Sequence, residues 1–319
     1  SAIEKASEAF RRADPSDLRT RSYAQYLAGL ACRDLGRIAE ALREFDTGAD
    51  LFAAEDHHSE GAGLVFPIYV SLCAWRSEAC AAVGDFDRAL ASADAAFRMA
   101  MKIQHPSSVT IASAFLGYAH IVRGDLATAL PVLERGLAIS REHDLIHGLK
   151  ANGLYLALAQ LLLGEHERGL DHLDRALEQS TGAFDVLWTR HRTITASAYL
   201  AAARVGEARA AVTAGLASAA ARNAKGHLAP LLRLEGEILA FEGGDEACAD
   251  RVGEALKLAT ELGMQPEIAH CRLALGALDL RRGKQHAAEE HLRAAITMYR
   301  RMKMPFWLEK AEAEIGRLG

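Results

Sequence analysis

His143 and His147 stand four residues apart, the spacing that puts two imidazoles on one helix face where they could share a zinc ion. Zinc sites need three or four ligands, and no matching ligand pair is evident, so no metal is expected. His57 and His58, His166 with His172, and His286 with His291 read as solvated or turn histidines. The five cysteines, Cys32, Cys73, Cys80, Cys248 and Cys271, form no CxxC pair and are odd in number, which reads as buried, reduced thiols in a cytoplasmic setting. Cys73 and Cys80, seven apart on one helix face, cannot close an unstrained disulfide along a helix. A catalytic cysteine would need a nearby base and an electropositive setting, and nothing in the sequence locates either. Carboxylates are scattered over helix surfaces. No phosphate loop is present: Gly283-Lys284 is followed by Gln285 where a hydroxyl residue is required. Neither catalysis nor a bound cofactor is therefore expected. What remains is charge in particular places: Arg190, Arg233 and Glu237, and a basic group of Arg281, Arg282, Lys284, Arg293, Arg300, Arg301 and Lys303. That group suits an acidic partner, or simply complements the dipoles of helix C-termini.

The elements that position these residues are helical. Half of the 319 residues are hydrophobic and only 7 are proline, as wholly helical stacking needs. A net charge of −5 and a pI near 6.2 give no strong basic field for nucleic acid or an anionic membrane. The longest apolar runs, Gly63 to Trp75 and Leu154 to Leu163, fall short of the roughly 20 residues a membrane span requires.

One pattern recurs along the chain, and Leu262 to Leu308 states it most clearly: a helix, a turn at Gly283 and a second helix. Laid on the rest, the template puts the turn at Gly36, Gly84, Gly124, Gly164, Ala203, Gly243 and Gly283, with successive spacings of 48, 40, 40, 39, 40 and 40. Seven before each turn stand Gly29, Ser77, Gly117, Ala157, Ala196, Gly236 and Gly276; five after stand Ala41, Ala89, Ala129, Gly169, Ala208, Cys248 and Ala288. All are small. A glycine inside a helix costs about 1 kcal/mol relative to alanine, so its use asks for a cause, and close approach of two antiparallel helices is the simplest. On this reading Gly276 faces Ala288 at a helix crossing. These residues resemble the tetratricopeptide repeat, with about six residues more than its usual unit of about 34. The resemblance implies an all-α fold, a right-handed α-α superhelix of about seven helix pairs, with residues 1–319 forming one solenoid.

Taken in order, Ser1 to Ala13 reads as the second helix of a repeat whose first is missing; with no initiator Met, the chain is expected to be a fragment of a longer protein. Seven pairs follow: 19–35 with 38–54, 61–83 with 85–103, 106–123 with 125–142, 146–163 with 165–179, 184–202 with 206–221, 227–242 with 245–262, and the pair around Gly283. A long loop over 55–61 accounts for the 48-residue spacing. Pro67 is expected to kink its helix or set back its start, and Pro131 to bend its own. Asp85 and Asp125 suit N-caps, and Pro266 and Pro305 suit first helical residues. A last helix, Pro305 to Leu318, carries Trp307, Leu308, Ala311 and Ile315 on one face and suits a cap on an open solenoid end.

In a tetratricopeptide-like superhelix the first helix of each pair lines the concave side. By that resemblance Tyr23 and Tyr26, Glu78, Tyr118, Arg190, Arg233 and Glu237, and His270 face inward, beside an apolar floor of Leu154, Leu158 and Leu161. Two readings of the floor stand: an open groove for a peptide or helix, or a tightly curled array that buries the floor against itself. Arg233 and Glu237, one turn apart, are expected to neutralise each other. Arg190 is then surplus, a guanidinium suited to an acidic or phosphate-bearing partner group.

The closing segment, LGMQPEIAHCRLALG followed by AAITMYRRMKMPFWLEKAEAEI, resembles the extreme C-terminus of large bacterial signalling proteins that carry a nucleotide-cyclase-like domain, a STAND-type ATPase and a helical repeat arm. The likeness covers about the last fifty residues; before them it is architectural. It implies a non-catalytic interaction or sensor arm with a protein or peptide partner. A small-molecule effector in the concave channel is the alternative.

Overall fold

The computed structural model describes residues 2–53, 67–178 and 189–318. Among them are sixteen α-helices and no strand. A leading helix, α1 (Ala2–Arg12), packs on the first of seven helix pairs. The pairs are α2 (Leu18–Asp34) with α3 (Ile38–Ala53), α4 (Ile68–Ala82) with α5 (Phe86–Lys102), α6 (Pro106–Arg123) with α7 (Leu126–Glu142), and α8 (Ile146–Leu162) with α9 (His166–Glu178). They continue with α10 (Thr189–Ala201) and α11 (Val205–Arg222), α12 (Leu228–Phe241) and α13 (Asp245–Leu262), α14 (Gln265–Arg281) and α15 (Gln285–Arg301), and end on α16 (Pro305–Ile315). The loop expected over 55–61 and the helix start expected at 184 lie outside the described residues. Pro67 sets back the start of α4, which begins at Ile68. Asp85 caps α5 through its side chain. Asp125 takes the cap position of α7, but its carboxylate turns to Arg123 instead.

Every within-pair turn is left-handed at the residue the template marks. Gly36, Gly84, Gly124, Gly164, Gly243 and Gly283 have φ from +69° to +93°, and Ala203 has φ +57°. The following N–H closes each turn on a carbonyl five residues back, as in Asp125 N to His120 O at 2.9 Å, which satisfies a helix end. The same motif closes the seams between units, at Gln104, Asp144, Asn223, Gly263 and Lys303. A side chain in this region costs about 1–2 kcal/mol, and Ala203 is the within-pair turn that carries one. Ala203→Gly is therefore expected to stabilise the protein by about 1 kcal/mol, read as a higher urea midpoint. A lower midpoint would show that the turn is set by something other than its φ.

The small residues lie at crossings. The residue five after the turn stands at the crossing in two units, Cys248 against Gly236 and Gly169 against Ala157. A methyl on Gly276, in contrast, would strike Leu292, nine after the turn, before anything at Ala288. Gly29 likewise meets Phe45, Gly117 meets Leu133 and Gly236 meets Val252. A second small position, twelve after the turn, receives the next unit: Gly48 lies under Leu72, Gly136 under Asn152 and Gly215 under Leu231. First helices of successive units also touch each other, α4 with α6, α6 with α8 and α8 with α10, so they form the inner layer of the superhelix.

That superhelix is wound tightly enough to rest on itself. Turns at the edge of the first three units meet seams at the edge of the last three. Gly36 lies against Leu262 and Gly226, Gly84 against Met302, and Gly124 against Phe306. Lys303 Nζ reaches Asp87 at 3.0 Å, and Trp307 Nε1 donates to the Val122 carbonyl at 3.2 Å. Helix α16 thus covers a neighbouring superhelical turn as well as α15, rather than capping an open end. The apolar floor is not an open groove: Leu154, Leu158 and Leu161 are buried in a core shared with Leu133, Leu173 and Ile194 of their own and adjacent units.

Candidate functional site

The inner face is where charge and aromatic surface meet. Glu78, on the middle of α4, accepts from Arg190 on α10, so an ion pair crosses the bore between the second and fifth units. Both side chains are about nine-tenths buried, at 10% and 7% exposed. Arg33 of α2 lies 3.5 Å from the same carboxylate and stacks 4.3 Å from the centre of the Trp75 ring. Around the Arg190 guanidinium stand four rings: Phe115 at 4.8 Å, Tyr118 at 5.1 Å, Trp75 at 5.4 Å and Tyr155 at 5.7 Å. Tyr26 lies beside Trp75 and Arg33, and stacks with Tyr23.

Arg190 is therefore not the surplus cation that the sequence reading makes it. Its carboxylate comes from Glu78, 112 residues away in sequence. Burial works against its charge, and Glu78 with Tyr155 and Tyr118 outweighs that penalty, so the guanidinium is held charged. The same burial pushes the Tyr155 hydroxyl up to about 12 and the Tyr118 hydroxyl higher still, so both rings stay neutral.

A second cluster adjoins the first. Arg233 binds Glu237 at 2.6 Å, as the sequence reading expects, and also Glu267 of α14 at 2.5 Å. His270 faces the Tyr299 hydroxyl at 2.8 Å and the Trp307 ring at 4.6 Å. Burial, with Arg233 and Lys310 nearby, lowers the His270 imidazole well below its usual range, so it is neutral near pH 7. Tyr118 feels both Glu78 and Glu267, which places it between the clusters.

Of the eight residues picked from the sequence, Glu78, Tyr118 and Arg190 thus come together, Arg233, Glu237 and His270 form the neighbouring group, and Tyr26 adjoins Trp75 with Tyr23 stacked on it. Sequence reasoning missed Trp75, Phe115 and Tyr155. A signal for them exists: they recur at intervals of 40, two residues before the small residue of three consecutive units. Glu267 carries no such signal.

The remaining candidates are spoken for or apart. Arg281 pairs with Asp245, Arg293 with Glu289, Arg300 with Glu312 and Lys303 with Asp87, so much of the basic group serves the array itself. All five cysteines are buried. Among the described residues no three His, Cys, Asp or Glu side chains converge as metal ligands would. No described helix is long and apolar enough to cross a membrane. A cleft of about 510 Å³ lies at the seam between superhelical turns, over Leu35, Leu228, Leu258 and Leu262, away from the inner face.

The profile of the tetratricopeptide repeat matches residues 22–47, 70–95 and 111–135, which fall on the first three helix pairs. Solved structures share the whole architecture. The Rap conjugation gene regulator of the plasmid pLS20, in complex with the Phr* peptide, superposes with a TM-score of 0.70 at 13% identity, over 90% of this chain and 76% of that one. The fold is tetratricopeptide-like. A Rap protein complexed with competence and sporulation factor gives a TM-score of 0.59 at 12% identity over 100% of this chain and 98% of that one. For the apo form of RapI the values are 0.56, 16%, 88% and 98%. NprR in complex with its cognate peptide NprX gives 0.52 at 14% identity, over 93% of this chain and 81% of that one. No curated protein matches the chain in sequence. At these identities the likeness speaks for the tetratricopeptide-like fold alone.

Proposed function

We propose that the chain is a peptide- or protein-recognition module with a regulatory, non-catalytic role, and that the inner face of its superhelix is the recognition surface. The observation that supports this reading is the buried Glu78 to Arg190 pair among four aromatic rings. Inner helices of a purely structural array would be served as well by apolar residues, because a buried ion pair is commonly no more stabilising than a hydrophobic replacement of its volume. Three structures of the same fold are complexes with a peptide or factor, which fits such a surface. In the fuller form of this reading, residues 1–319 are one continuous solenoid, the cytoplasmic arm of a longer bacterial signalling protein.

The test is a selection of random octapeptides against the purified chain, followed by calorimetry on the enriched sequences. Binding is expected to weaken at least about tenfold, ~1.4 kcal/mol, on Tyr118→Ala, and to be unchanged by Phe241→Ala on an exposed helix end. A failure to enrich any sequence, or binders indifferent to Tyr118, would count against the reading.

A further inference from the structure

Trp75 and Glu78 on α4, Phe115 and Tyr118 on α6, and Tyr155 on α8 make one pocket out of three successive units. The chemistry of that pocket is specific. Four ring faces with one carboxylate form an enclosure that stabilises a planar cation, through attraction to the ring quadrupoles and charge-assisted hydrogen bonds to the carboxylate. A guanidinium fits better than an ammonium, since it stacks flat and offers several donors at once. Here the guanidinium is the chain's own Arg190.

The walls and the occupant differ in how they are held. Glu78 has a short side chain on the middle of a helix whose residues are mostly buried, and Phe115 and Tyr155 are fully packed. These walls are fixed by the packing of neighbouring units, which the 40-residue repeat dictates. Arg190 arrives from α10, which packs on α8 but lies three units from the Glu78 helix, and it reaches the carboxylate on a long side chain. Withdrawing it breaks a contact across the bore, and leaves the stacking of α4, α6 and α8 on one another in place.

We infer that Trp75, Glu78, Phe115, Tyr118 and Tyr155 form a receptor for an arginine side chain of the bound polypeptide, and that Arg190 is an internal stand-in that occupies it until displaced. This rests on the inner face being the recognition surface. It adds the chemistry of the partner: a basic group in the bore, where the sequence alone points to an acidic one.

The experiment titrates the full chain with two capped pentapeptides that differ only at the centre, arginine in one and its uncharged isostere citrulline in the other. The parent protein is expected to bind both weakly. Arg190→Ala is expected to bind the arginine peptide at least about tenfold tighter than the parent does, and about tenfold tighter than it binds the citrulline peptide. Adding Glu78→Gln to Arg190→Ala is expected to remove the gain. Arg190→Gln serves as the second variant, with circular dichroism confirming that it is folded. A merely structural Arg190 predicts no gain in either variant, and that outcome overturns the inference. A gain shared equally by both peptides overturns the arginine assignment while leaving peptide recognition on the inner face intact. Selected octapeptides that ignore Tyr118 would count against inner-face recognition itself, whatever these two peptides do.

Discussion

Glu78→Leu is expected to destabilise the protein by about 3–5 kcal/mol, the usual result of removing one member of a buried ion pair and leaving the other charge in place. The magnitude follows from the setting of Arg190. Its side chain is 7% exposed, and its guanidinium sits among Trp75, Phe115, Tyr118 and Tyr155. Rings return about 0.5–2 kcal/mol of cation–π attraction, less than a buried cation loses on leaving water. Arg190→Met combined with Glu78→Leu removes the pair and keeps the volume apolar, while Arg33, the other cation beside Glu78, keeps Asp34 as its partner, so the double variant is expected to recover most of the loss. The readout is the urea midpoint of each member of the double-mutant cycle. Additive single effects, or a cost under about 1 kcal/mol for Glu78→Leu, would mean that the two residues are not coupled as the structure places them.

The second large effect lies at the helix crossings. Gly117→Leu is expected to cost about 1–3 kcal/mol by overpacking, although leucine is the better helix former by nearly 1 kcal/mol. A first side-chain carbon on Gly117 would already lie 2.5 Å from Leu133 Cγ, and Leu133 is itself fully buried with no room to retreat. Gly276→Leu meets the same obstacle in Leu292. Gly253 supplies the control, because it too lies inside a helix, α13, yet nothing stands within 4 Å of where its side chain would begin. Gly253→Ala is expected to stabilise by about 1 kcal/mol through helix propensity alone. Thermal unfolding that ranks Gly117→Leu or Gly276→Leu at or above the parent would remove the crossing from that unit.

Much of this architecture is legible in the sequence because it is local or repeats locally. The positive φ at Gly36 and its six counterparts needs only a residue that tolerates the left-handed region, and six of seven are glycine. The cap at Asp85, the late start of α4 after Pro67, and the close packing over Gly29, Gly117, Gly236 and Gly276 likewise depend on residues within one unit. Contacts between neighbouring units are nearly as legible. The spacing of 40 that aligns Trp75, Phe115 and Tyr155 on one wall is itself a repeat of the sequence.

The partner of Arg190 was not legible. From the sequence, Arg233 and Glu237 pair because they are one helical turn apart, and they do; the same rule leaves Arg190 with no counterpart. Its carboxylate, Glu78, lies three units away. Whether two such residues meet depends on the radius and pitch of the superhelix, and these accumulate from small rotations between successive units that no single unit encodes visibly. The same accumulation brings Gly84 under Met302 and Trp307 to Val122. The helix pairs, their turns and the wall on which each inner residue stands follow from local pattern in the chain. Which walls face each other is set by the wound superhelix, because that distance is a sum over units and not a property of any one of them.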